Sequence, residues 1–184
     1  MLTGERIRLR TFRPDEYETV RGWFEEREKA IGPYQPYWLG TAERVYESLQ
    51  TGISIDDKAG RLAIEVLESH KLIGIIRYYT QVVVPDMIEY YEIGYTITDL
   101  AERRKGYARE ACVLLIDYLF DTYPVTRVGA ATLGANEPST RLLTSLGFAH
   151  EGTIRKSVFI SGQWADVFTF GLLREEWMAH RHAS

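Results

Sequence analysis

Two short stretches of this chain combine residue types and spacings suited to holding an anionic ligand, and a carboxylate lies just upstream of the first. Arg103-Arg104-Lys105-Gly106-Tyr107-Ala108 sets three basic side chains and a glycine at the mouth of an apolar-periodic segment. Backbone N–H groups of a turn and of a first helical turn lack intrahelical partners, and that helix end is partially positive, so a pyrophosphate fits there. Gly106 permits close approach of ligand oxygens and tolerates a positive φ. The same hexapeptide also reads as a solvated basic turn. In the second stretch Asn136 is a favoured N-cap, Pro138 suits the first turn, Leu142, Leu143 and Leu146 form a stripe, and Gly147 suits the C-terminal cap. Ser139 stands in that first turn, where its hydroxyl either caps the helix or reaches a ligand.

These residues need elements to position them. Ala108, Ala111, Cys112, Leu115, Ile116 and Leu119 recur at helical spacing, which predicts a helix over 105–121 that Pro124 stops. A strand over 90–98 feeds the basic turn, and another over 127–132 follows the helix, parallel to the first by the right-handed crossover rule. Upstream, 62–67 and 72–79 read as an antiparallel hairpin, Pro85-Asp86 marks a reversal, and a third strand runs over 88–98. Alternation over 6–10 predicts an edge strand after a Thr3-Gly4 turn. Pro14 then opens a helix with Tyr17, Val20 and Phe24 on one face. Residues 154–160 and 163–173 flank Ser161-Gly162, a tight turn. Between the first helix and a short one over 42–50 capped by Thr41 lies Gly32 to Gly40. This loop is rich in aromatics, and Tyr34, Tyr37 and Trp38 either line an acceptor site or cover the sheet.

The chain has 184 residues, enough for one domain over 1–184 with its core at about 5–177, and no composition break divides it. Its net charge of −4 makes the basic hexapeptide a local feature and argues against nucleic-acid binding. There is no targeting segment and no apolar run of membrane-spanning length, so a soluble cytoplasmic protein without a membrane partner is expected. Cys112, the single cysteine, lies on the apolar helical face and reads as core. No Cys/His cluster points to a metal.

Taken together, Arg-x-x-Gly-x-Ala at 103–108 and Asn-x-x-Ser…Gly-Phe at 136–148 resemble the two acetyl-CoA signatures of the GNAT superfamily of N-acyltransferases. Phe148 to Arg155, a long hairpin, Asp166 and Leu172 to Trp177 are similar to its RimJ/RimL-type branch, which acetylates protein N-termini and some small amines. The resemblance implies an α+β fold: a mixed, mostly antiparallel sheet of about seven strands, helices on both faces, and a V-shaped splay for the pantetheine arm. It also implies acetyl-CoA as co-substrate held by Ile97, Thr98, Arg103, Arg104, Lys105, Gly106, Tyr107, Ala108, Asn136 and Ser139. The acceptor is then a primary amine, on a peptide N-terminus or a small molecule, with no metal, in a monomer or homodimer.

Acyl transfer to an amine requires a neutral amine, a polarised carbonyl and a proton for the departing thiolate, and no covalent nucleophile. Glu92, in Glu92-Ile93-Gly94-Tyr95, is the leading base, and Gly94 suggests a bulge or close ligand approach that would aim it. Glu89, Glu92 or Glu65 could equally be solvated strand residues. Many members carry a tyrosine seven residues after the motif asparagine; here that position is Leu143, a departure that fits RimJ/RimL-like sequences, and the resemblance implies a serine in this region, here Ser139, as the candidate acid. Glu151, Arg155 and Asp166 fall at positions that either contact the acceptor or fix the hairpin. A GNAT-like domain that binds or senses CoA without turnover fits the same motifs. A nucleotide-binding module fits less well, since neither a P-loop nor a dinucleotide fingerprint is present.

Overall fold

The computed structural model describes residues 1–26, 55–82, 89–160 and 162–183, together with Arg44, Glu47 and Leu49. Tyr34, Tyr37 and Trp38, the Pro85-Asp86 reversal and most of the 42–50 helix lie outside the described residues. Among the described residues eight strands form one sheet: β1 (Leu2–Thr3), β2 (Ile7–Arg10), β3 (Ala59–Val66), β4 (Leu72–Val82), β5 (Glu89–Ile97), β6 (Arg127–Leu133), β7 (Ala149–Ile160) and β8 (Gln163–Leu173). Their order is β1-β2-β3-β4-β5-β6-β8-β7, and the β5–β6 pair alone is parallel. The strand beyond the predicted seven is Leu2–Thr3, which pairs with Leu9 and Arg8 around the Gly4 turn.

Four helices join the sheet among the described residues: α1 (Tyr17–Glu25), α2 (Tyr107–Thr122), α3 (Glu137–Ser145) and α4 (Arg174–Ala183). The apolar stripe of α2, from Ala111 to Phe120, packs with Ile7, Leu9, Leu62, Ile64, Ile76 and Ile93, and α3 and α4 add Leu143, Leu146 and Trp177 to the same core. On the opposite face Val20 of α1 meets Ile75, Leu49 and the partly buried Phe12 and Trp23. Strand alternation separates these faces, so along β5 Ile93 turns toward α2 while Glu92 turns away. Pro14 opens a 3₁₀ turn before α1. The cause is Glu16, whose carboxylate accepts the Arg13 N–H and hydrogen bonds from Arg10, holding the chain in a tighter turn.

Glu65 on β3 is fully buried in a polar cluster. It accepts hydrogen bonds from Arg10 at 2.6 Å and Arg8 at 2.5 Å, and Arg13 lies 3.0 Å away. It is therefore not the solvated strand residue that alternation permits. Burial pushes its carboxyl up, but hydrogen bonds from Arg10 and Arg8 outweigh this and hold it below the ordinary glutamate value.

The feature that makes room for a ligand is a seam. Strands β5 and β6 pair only at Tyr91↔Val128, Glu92↔Gly129 and Ile93↔Ala130. Beyond it β5 stays on β4 as far as Ile97 and β6 stays on β8 as far as Leu133, so the two strands part. The β4–β5 ladder keeps its register through Gly94, which is therefore not a bulge. Gly94 lies opposite Arg77, and a Cβ there would meet the Arg77 Nε at 3.0 Å. Close approach occurs, but to an arginine of the protein itself.

Candidate active site

At the start of α2 the chain makes two left-handed turns, Arg104 at φ 62° and Gly106 at φ 85°. None of the N–H groups from Arg104 to Arg109 has a partner among the described residues. An array of unmet donors at a helix start is what an anion needs, and here it opens beside the parted end of β5. The basic side chains divide their work. Arg103 turns inward and donates from Nε to the Ile97 carbonyl at 2.8 Å, fixing the strand end. Lys105 is held by Glu102 at 2.8 Å, while the Arg104 side chain is exposed. Arg6 donates to the Lys105 carbonyl at 2.8 Å, stacks over Tyr107 and pairs with Glu110. A Cβ on Gly106 would meet that guanidinium at 3.1 Å, so the glycine is required first by its φ and only then by space.

Thr98 is turned away from the seam: its N–H and hydroxyl both donate to the Ile73 carbonyl. Asn136 caps α3, accepting the Ser139 N–H at 3.4 Å. The Ser139 hydroxyl does not cap. It lies 2.9 Å from the Tyr95 hydroxyl, so a hydroxyl pair spans β5 and α3. Burial raises the Tyr95 pKa and keeps the phenol protonated. Leu143, where a tyrosine is common in the superfamily, is core at 1% exposure.

On the other face Glu92 is held at both oxygens, by the Tyr79 hydroxyl at 2.7 Å and by Gln81 Nε2 at 3.1 Å. Each oxygen retains a lone pair for a further donor. Burial, then the bond to Glu92, pushes the Tyr79 pKa up to about 12, so the phenol remains a donor. The hairpin residues resolve differently. Glu151 accepts two bonds from Arg127, and the Asp166 carboxylate accepts the Lys156 N–H, so both brace β7 against its neighbours. Tyr95, Tyr79 and Gln81 carried no sequence signal, because strand aromatics and amides look alike until their partners are known.

Among the described residues no group of His, Cys, Asp or Glu could hold a metal, and no helix is long and apolar enough to cross a membrane. A family model described as an acetyltransferase (GNAT) domain matches residues 6–149. An uncharacterized N-acetyltransferase p20 of Bacillus licheniformis is 35% identical over 131 residues, 68% of each chain. The ribosomal protein uS5-alanine N-acetyltransferase of Escherichia coli (strain K12) is 33% identical over 89 residues, 48% of this chain and 45% of that protein. In fold, the chain is similar to the spermidine N-acetyltransferase from Vibrio cholerae solved in complex with CoA and spermine. The TM-score is 0.78 at 19% identity, over 95% of this chain and 99% of that one. With the parted seam, the unpaired amides beside it and a family match over most of its length, the chain belongs to the GNAT family of acetyltransferases.

Proposed function

We propose that the protein transfers an acetyl group from acetyl-CoA directly to a primary amine in a ternary complex. The observation that carries this reading is the seam, with unpaired amides at one end, a hydroxyl pair on one face and a fixed carboxylate on the other. The amides of Arg104 to Arg109, with the Arg104 side chain, hold the pyrophosphate; the open edges of β5 and β6 hold the pantetheine arm. Glu92 takes the proton from the entering ammonium group. The Ser139 hydroxyl, oriented by Tyr95, passes a proton to the departing sulfur. Arg103, Ile97 and Thr98 shape the strand end, while Lys105, Tyr107 and Ala108 shape the turn. An α-amine, with a pKa near 8, is roughly a tenth neutral at pH 7, whereas a lysine near 10.4 is far less so, which favours α-amines.

Thiol release from acetyl-CoA with a panel of amines, including peptide N-termini and polyamines, tests this reading. Amine-dependent release is expected, and acetyl-CoA binding without any such release would sink it. Cys112→Ala is the companion test. The thiol is fully buried and its pKa is raised by that burial, so the variant keeps its turnover apart from a packing loss. A trapped acyl group on Cys112 would contradict direct transfer. Gly106→Val, a β-branched residue forced to a positive φ, costs about 1–3 kcal/mol and shifts the turn. Acetyl-CoA affinity in calorimetry then falls by roughly tenfold or more, since each 1.4 kcal/mol is tenfold. Gly106→Asn, which tolerates that conformation, loses much less. Equal affinity in folded Gly106→Val protein would remove the turn from the binding site.

A further inference from the structure

Arg61 and Arg77 face each other directly across β3 and β4, on the sheet face that carries Tyr79, Glu92 and Gly94. Like charges at opposed positions destabilise a ladder, and no carboxylate among the described residues offsets them. Among the described residues neither arginine pairs with a carboxylate, and the Arg61 Nη1 is buried without a hydrogen-bond partner. Burial, then the charge of Arg77, lowers the Arg61 pKa. Buried polar groups in native proteins are nearly always satisfied, so a buried guanidinium nitrogen without a partner beside a second cation is suited to an anion. The Arg77 side chain is exposed and lies over the Tyr79 ring, 5.6 Å from its centroid, in the space left by Gly94. The hydroxyl of that same tyrosine holds Glu92. One aromatic ring thus separates the cation from the base, and diagonal neighbours across an antiparallel pair lie about 7–8 Å apart.

We propose that the acceptor amine carries a carboxylate, received by Arg77 with Arg61 behind it, while the amine meets Glu92. This rests on the acyl-transfer reading above and names the substrate class for it. A guanidinium binds a carboxylate through two parallel N–H donors, and the second arginine deepens the positive potential at that point. The chain's net charge of −4 favours cationic acceptors at long range. That attraction is screened beyond about 8–10 Å at physiological salt, so at contact the arginine pair prevails. Polyamines, which bring further positive charge to it, are poor acceptors.

The test compares kcat/KM within matched acceptors: an alanyl peptide with Asp second against the same peptide with Asn, and free alanine against alaninamide, with spermidine alongside. The carboxylate member of at least one pair is expected to lead by roughly ten- to a hundredfold, the range of a hydrogen bond to a charged group. The pair that shows it tells peptide from free amino acid. Arg77→Gln collapses that ratio toward parity while acetyl-CoA still binds in calorimetry. Arg61→Met, which removes a buried unmet charge, lowers the ratio and raises the melting temperature. Amine acetylation with no carboxylate preference, or a preference that survives Arg77→Gln, overturns this inference and leaves acyl transfer standing. Bound acetyl-CoA with no acetylation of any amine overturns both.

Discussion

Glu92→Gln is expected to lower turnover by roughly 10²- to 10³-fold near neutral pH, within the range of a positioned general base. The substitution keeps the shape and both neighbours, since Tyr79 and Gln81 can still bond an amide, so folding and acetyl-CoA affinity change little. In the proposed mechanism, what is lost is the group that makes the amine neutral in place. Without it the reaction draws only on amine already neutral in solution, which grows as pH approaches the amine pKa near 8. The deficit is therefore largest at low pH and narrows as pH rises. Rates from pH 6 to 9 for both proteins, with acetyl-CoA saturating, measure this directly. An unaltered profile would return Glu92 to a structural role and assign proton removal to water or another carboxylate.

Glu65→Ala has the largest expected effect on stability. The carboxylate is 0% exposed, and Arg10, at 7% exposure, depends on it and on Glu16 for compensation. Removing one partner of a buried ion pair strands the others, at a cost of about 3–5 kcal/mol. That is a large share of the roughly 5–15 kcal/mol typical of a domain, and urea denaturation would report it as a lower midpoint with little change in slope. The pH dependence has a definite sign. The folded pKa of Glu65 is depressed, so its contribution is intact above the ordinary glutamate value and is lost as pH falls through the folded one. The acid limb of the wild-type stability curve is accordingly steeper than that of Glu65→Ala. A midpoint within error of wild type would show the cluster to be dispensable.

Much of this was readable in the chain because periodicity is a local property. The α2 stripe, the β3–β4 hairpin, the parallel β6 and the cap at Asn136 all follow from residues a few positions apart. Glu65 was ambiguous for the opposite reason: alternation puts it off the main core, but only the return of β2 brings Arg8 and Arg10 alongside it. The Tyr95–Ser139 bond spans 44 residues of sequence and had no local sign. Gly94 signalled a close approach, yet the residue approaching is Arg77 from the neighbouring strand. Likewise three adjacent basic residues looked equivalent until Arg103 was drawn to the end of β5.

The brevity of the β5–β6 ladder has a mechanical consequence. Three residue pairs join a five-stranded block to a three-stranded one, the fewest at any border that leaves two or more strands on each side, so of these borders this one resists shear least, along the line where a ligand arm would lie. An arm that fills the gap bridges the two blocks like a splint across a joint, and stiffness becomes a function of ligand concentration through mass action. Under pulling force the force needed to separate the two blocks along this line is expected to rise when the gap is filled.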